Sequence, residues 1–111
     1  VTIVLRQAPG APCDVKTEPF RAPPARRADV IRWTVAGRCD GINPDNVEIQ
    51  FVGVCGELSK SVTDPDLFDE PPPHRGRRIV RTVKSNQDAC YRYQVVHGST
   101  VLEDPELEIM Q

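Results

Sequence analysis

The 111-residue chain lacks the short motifs that mark common enzyme classes. It holds no GxSxG elbow, no phosphate-binding loop, no glycine-rich dinucleotide turn and no HExxH pair, so those chemistries have no support in the sequence. No apolar run approaches the roughly 20 residues that span a bilayer, and no transmembrane segment is expected. A strong excess of charge of either sign is missing too. The formal net charge is −2 with both signs mixed, which offers no basic field to recruit nucleic acid. Aromatics are few: one Trp, two Tyr and three Phe. No 3.6-residue apolar stripe persists and no internal repeat is present, so helices should be few. No leader segment is visible, and the chain starts at Val1 rather than Met. It reads as a mature or trimmed product, or as one domain cut from a longer polypeptide.

Four cysteines are present, Cys13, Cys39, Cys55 and Cys90. They are even in number, widely spaced, and without a CxxC pair. A structural zinc site normally draws on closely spaced pairs, so two disulfides are the expected use. Disulfides place the chain outside the cytoplasm, in a periplasmic, secreted or cell-surface setting. Each would contribute roughly 2–4 kcal/mol by restricting the unfolded chain. Eleven prolines disfavour helix interiors and central strands. At this length one domain is expected over residues 1–111.

Short alternating runs recur between turn signals. Val1, Ile3 and Leu5 share a face, as do Ile31, Trp33 and Val35, then Val47, Ile49 and Phe51, then Tyr91, Tyr93 and Val95, and finally Leu107 and Ile109. Residues 13–20, 58–62 and 79–84 complete the expected strands. Two Pro-rich loops are expected, at 20–27 and at 64–78. Seven to eight short strands with turns between them predict an all-β Greek-key sandwich.

Residues 31–35 followed by 47–51 resemble the central strands of cupredoxin-like sandwiches. Residues 90–96, Gly98 and the segment from Asp104 and Pro105 to Ile109 resemble the last hairpin of copper-less cupredoxin relatives. A similar ending occurs in immunoglobulin-like modules that bind starch and glycogen. The resemblance covers about a third of the chain. It implies a cupredoxin-like or immunoglobulin-like fold, with strands one, three and seven running one way and two, four and six running back. In that topology Cys13 and Cys39 lie at one end and Cys55 and Cys90 at the other. The resemblance therefore implies bridges Cys13–Cys39 and Cys55–Cys90, since bridged Cα atoms must come within ~4.4–6.8 Å.

The resemblance also raises copper. The inventory of a type-1 site is present in His74, His97, Cys90 and Met110, but the spacing is wrong. Cys90 opens its strand, and His97 and Met110 do not follow it on one loop. Strand rise of ~3.3 Å per residue would hold the ligands apart. No metal or cofactor is expected. Asp64, Asp66 and Asp69 are oxygen donors of the kind calcium takes, without the glycine and closing glutamate of an EF-hand. Trp33, Tyr91 and Tyr93 would serve either a sugar platform or the core, and Trp33 sits in the most hydrophobic strand.

The remaining candidate is the run Pro71, Pro72, Pro73, His74, Arg75, Arg77 and Arg78. Consecutive prolines favour an extended conformation that presents side chains at low entropic cost, and long loops often carry function. Arg21, Arg26 and Arg27 would extend it into a positive patch, with Asp64, Asp66, Asp69 and Glu70 as local neutralisers. The expectation is a non-catalytic binding or scaffolding module with a protein partner, an accessory part of an envelope or membrane-associated assembly. Glycan binding and copper-based electron transfer are the alternatives.

Overall fold

The computed structural model describes residues 1–55, 67–71 and 73–111. Two sheets pack face to face. The first runs β2 (Asp14–Glu18), β1 (Thr2–Arg6), β4 (Val30–Gly37), β6 (Arg78–Thr82). The second runs β3 (Arg21–Ala25), β9 (Glu106–Ile109), β7 (Ala89–His97), β5 (Val47–Val54), with β8 (Thr100–Glu103) also paired to β7. From β2 to β7 the chain changes sheet at every connection, so each sheet interleaves distant segments. β1 and β4 are parallel and their other neighbours antiparallel. The expected all-β sandwich is present, with nine strands among the described residues.

Alternation decides which side chains meet. Ile3, Leu5, Ile31, Trp33, Val47, Ile49, Phe51, Tyr91, Tyr93, Val95, Leu107 and Ile109 all face the space between the sheets and are buried, as the period-two pattern requires. Trp33 is the centre. Its ring lies edge-on to Phe51, Phe68 and Tyr93 at 6.4, 6.3 and 5.7 Å, the arrangement that ring quadrupoles favour. Its indole Nε1 donates to the Tyr93 hydroxyl at 3.1 Å, so both buried polar tips are satisfied. Burial pushes the Tyr93 phenol up to about 12, which keeps it neutral throughout the physiological range.

Gly37 marks the closest backbone approach. It pairs with Leu5 on the neighbouring parallel strand and adopts φ +80°, and a Cβ there would collide with the Leu5 carbonyl oxygen. Only glycine meets both demands.

Residues 20–27, expected as a loop, instead contain β3. Pro23 and Pro24 do not forbid it because β3 is an edge strand whose one neighbour is β9. The register slips between Ala22 and Ala25, so the prolines fall where no ladder N–H is needed. Ala22 and Ala25 are buried by the pairing. The second strand is also shorter than expected, at Asp14–Glu18. The strand foreseen at 58–62 lies outside the described residues.

The loop expected at 64–78 is correspondingly shorter. Phe68 bridges Val83, the Asp69 N–H donates to the Thr82 carbonyl, and the Lys84 N–H donates to Leu67. These contacts extend the first sheet along β6. Glu70 then locks the corner: its carboxylate accepts from the Thr82 N–H at 2.7 Å and the Thr82 hydroxyl at 2.8 Å, and its carbonyl accepts from Arg81 at 3.0 Å. Arg81 is 2% exposed and lies over the Phe68 ring at 4.9 Å, a cation–π contact inside the sandwich.

Burial alone would raise the Glu70 carboxyl, but the two Thr82 bonds and the Arg81 charge outweigh it and hold the group below the ordinary carboxylate value. A depressed carboxyl contributes stability that is present above its unfolded pKa of about 4.3 and is lost as pH falls through the folded value. Glu70→Gln is expected to cost about 1–2 kcal/mol at pH 7. The gap between it and the parent should close in acid. Urea melts at neutral pH and near pH 3 test this; a gap that persists in acid would reject the ionised carboxylate as its source.

Candidate functional site

β5 and β6 are the outer strands of the two sheets on one side of the sandwich, and the segment that ends in the basic run joins them. The Ile49 N–H donates to the His74 carbonyl and the Gly76 N–H to the Val47 carbonyl, both at 2.9 Å, and Arg75 bridges Glu48. Residues 74–76 thus cover the edge of β5 as a short added strand, which blunts a template for wrong pairing. Gly76, at φ +130°, turns the chain back to the first sheet, where Arg78 opens β6 (Arg78–Thr82).

This placement divides the sequence candidates. Pro71 and Pro73 are exposed, and Pro72 lies outside the described residues. His74, expected as a contact residue, is 5% exposed. Pairing of this segment with β5 turns its side chain inward, out of reach of a docking protein. Arg75, Arg77 and Arg78 are exposed. Arg77 is held by Asp45 at 3.0 Å, an exposed pair of small energetic weight. Arg75 and Arg78 have no ion pair among the described residues. The acids expected to neutralise the run do not do so where they are described: Glu70 bonds Thr82, and Asp69 contributes its backbone. Asp64 and Asp66 lie outside the described residues. Arg21 is drawn elsewhere, to Glu106 and Glu108 at 3.3 and 3.9 Å.

Arg75 also lines a polar notch of about 320 Å³ with Asn46, Glu48, His97 and Gly98. Its walls are set by hydrogen bonds. His97 Nε2 accepts from the Asn43 N–H at 3.1 Å, and the Glu48 carboxylate accepts from Gln50 at 3.2 Å. The notch brings together a cation, a carboxylate and an imidazole, and no apolar side chain among the described residues lines it. Sequence reasoning missed it because Glu48, Arg75 and His97 come from three distant segments brought together by pairing of β5 with β7 and with residues 74–76.

The two disulfides are Cys13–Cys39 and Cys55–Cys90, with Cα separations of 5.6 and 5.3 Å, the pairing that the resemblance implied. Cys55, Cys90 and Glu106 have ligand atoms within 4.8 Å of one another, but both sulfurs are bonded to each other and neither is a thiolate. Trp33, Tyr91 and Tyr93 are buried at 1%, 4% and 0% exposure, so they form core and not a sugar platform. Comparison with protein-family models, curated proteins and solved structures finds no match.

Proposed function

We propose that this chain is a non-catalytic binding module that works outside the cytoplasm and grips a protein partner through the basic strip at residues 75–78. The observation that carries the reading is the contrast along that strip. Its backbone is fastened to β5 at Gly76 and to β4 at Arg77 and Arg78, while the Arg75 and Arg78 side chains are exposed. A pre-ordered backbone lowers the entropy lost on docking. Arginine is among the residues enriched in protein interfaces, and unpaired surface cations speed encounter with an acidic partner. The two disulfides support an oxidising compartment. No helix among the described residues is long and apolar enough to cross a membrane. Attachment to an envelope or membrane-associated assembly would then come through the partner, with this chain as its accessory subunit.

Side-chain reversal tests the strip better than excision, because removing residues 70–77 would also remove the Glu70 lock and the cover of β5. Arg75→Glu with Arg78→Glu should weaken binding to the partner that co-purifies with the native protein by roughly tenfold or more, about 1.4 kcal/mol per tenfold. The melting curve should fall only slightly, by the cost of a second carboxylate opposite Glu48, since neither guanidinium has an ion pair among the described residues. Equal affinity for parent and variant would sink the proposal.

A further inference from the structure

The outward face of the four-stranded sheet carries a different pattern from the rest of the surface. Register places Arg32 opposite Val80 and Thr34 opposite Arg78 on β4 and β6, with Val30 beside Thr82. Thr34 and Ala36 continue the face onto Thr2 and Val4 of β1. Val30 and Val80 are 45% and 49% exposed, and Ala36 and Thr34 are exposed with them. The result is a field of short and β-branched side chains with Arg32 and Arg78 set diagonally, roughly 7–8 Å apart, and Arg6 at the end of β1.

The charges on this face are segregated. No outward residue of β1, β4 or β6 is acidic, and Arg32 and Arg78 have no ion pair among the described residues. The acids of the face stand at its margins: Asp14 and Glu18 on β2, with β1 between them and β4, and Glu70 at the far end of β6, where its carboxylate is taken up by Thr82. Strands are about 4.8 Å apart, so the backbones of Asp14 and Glu18 lie roughly 10 Å or more from those of Arg32 and Arg78. The other sheet is mixed outward: Glu48, Glu106 and Glu108 stand with Arg21 and Arg92, Arg92 opposite Glu106 and Arg21 paired to Glu106 and Glu108.

We propose that this face, centred on Arg32, Thr34, Arg78 and Val80, is the docking surface for an acidic protein partner. The assignment rests on the binding-module reading and joins its basic strip at Arg78. Charge complementarity selects an acidic occupant. The apolar field selects a protein over a sulfated glycan or an anionic headgroup: it gives a partner's aliphatic side chains somewhere to dock between the arginines, and it presents no aromatic ring for a sugar. An apolar centre with arginine is the composition of protein interfaces.

The test uses four probes on the whole chain near 0.15 M salt: a peptide alternating Glu with Val, its Lys and Val counterpart, heparin, and phosphatidylglycerol vesicles. The Glu–Val peptide should bind. Arg32→Glu should weaken it roughly tenfold and Val80→Ser severalfold, with Thr100→Glu, on the exposed side of the other sheet, unchanged and all melting curves alike. Binding of no probe, tighter binding of heparin or vesicles, equal binding of the Lys–Val peptide, or a parent that dimerises and is made monomeric by Arg32→Glu would each overturn the assignment. Loss with the native partner through Arg75→Glu but not through Arg32→Glu would keep the basic strip and remove the face.

Discussion

Trp33→Ala is expected to remove about 3–5 kcal/mol of stability, a large share of the 5–15 kcal/mol that holds a domain of this size. Trp33 is 1% exposed and touches Phe51, Phe68 and Tyr93 edge-on, so its loss opens a void that rings on the facing sheet and on the 67–70 segment cannot all fill. It also leaves the buried Tyr93 hydroxyl without its donor. Trp33→Phe separates the two contributions. It keeps most of the ring contact and should cost less, about 1–3 kcal/mol, chiefly from the orphaned phenol and the smaller volume. Far-UV circular dichroism in urea is the right measurement because Trp33 is the one tryptophan, and its removal would silence fluorescence. A loss below about 1 kcal/mol for Trp33→Ala would contradict its place at the centre of the packing.

Removal of the Cys55–Cys90 bridge ranks with it. The bridge closes 35 residues, and restriction of the unfolded chain over such a loop is worth about 3–4 kcal/mol. For a chain of this size that corresponds to roughly 12–20 °C in melting temperature. The bridge also has a local role. It ties the end of β5, where the Cys55 N–H donates to the Cys90 carbonyl, to β7 just past the register shift between Phe51 and Gly53. Cys55→Ala with Cys90→Ala should therefore melt far below the parent. Cys13→Ala with Cys39→Ala, which opens a 26-residue loop, should fall by nearly as much. Thermal melts of the two double variants and of the parent in reductant check this, and a parent that melts unchanged in reductant would refute the account. The effect bears on function. A domain that loses both bridges in a reducing compartment loses about as much free energy as it has to spare, so the binding surfaces argued above persist only where the disulfides do.

The strands with clean alternation were legible in the sequence because side-chain direction in a strand is a local property. Ile31 and Trp33, or Val47, Ile49 and Phe51, point one way whatever they pair with. β3 was not legible. Proline argues against a strand in general, and only its position at an edge, beside β9 with a slipped register, makes Pro23 and Pro24 acceptable. Arg81 and His74 mislead for the same reason in reverse. Both read as surface residues by type, yet Arg81 shares its face with Ile79 and Val83, and His74 is turned inward by the pairing of residues 74–76 with β5. In the basic run, residue type alone identified Arg75 and Arg78 as exposed cations. It did not show that their backbone is fastened, that Arg77 is held by Asp45, or that Arg78 sits diagonally from Arg32.

By itself the sequence determined the class of fold, the inward set of most strands and the use of its four cysteines in two disulfides, since alternation, proline content and cysteine count act through local geometry and bulk composition. The tertiary structure alone decided which edges are covered, which charges are left unpaired and which face of the sandwich is both basic and apolar. Those depend on register between strands far apart in the chain, and a shift of one residue exchanges the buried face of a strand for the exposed one.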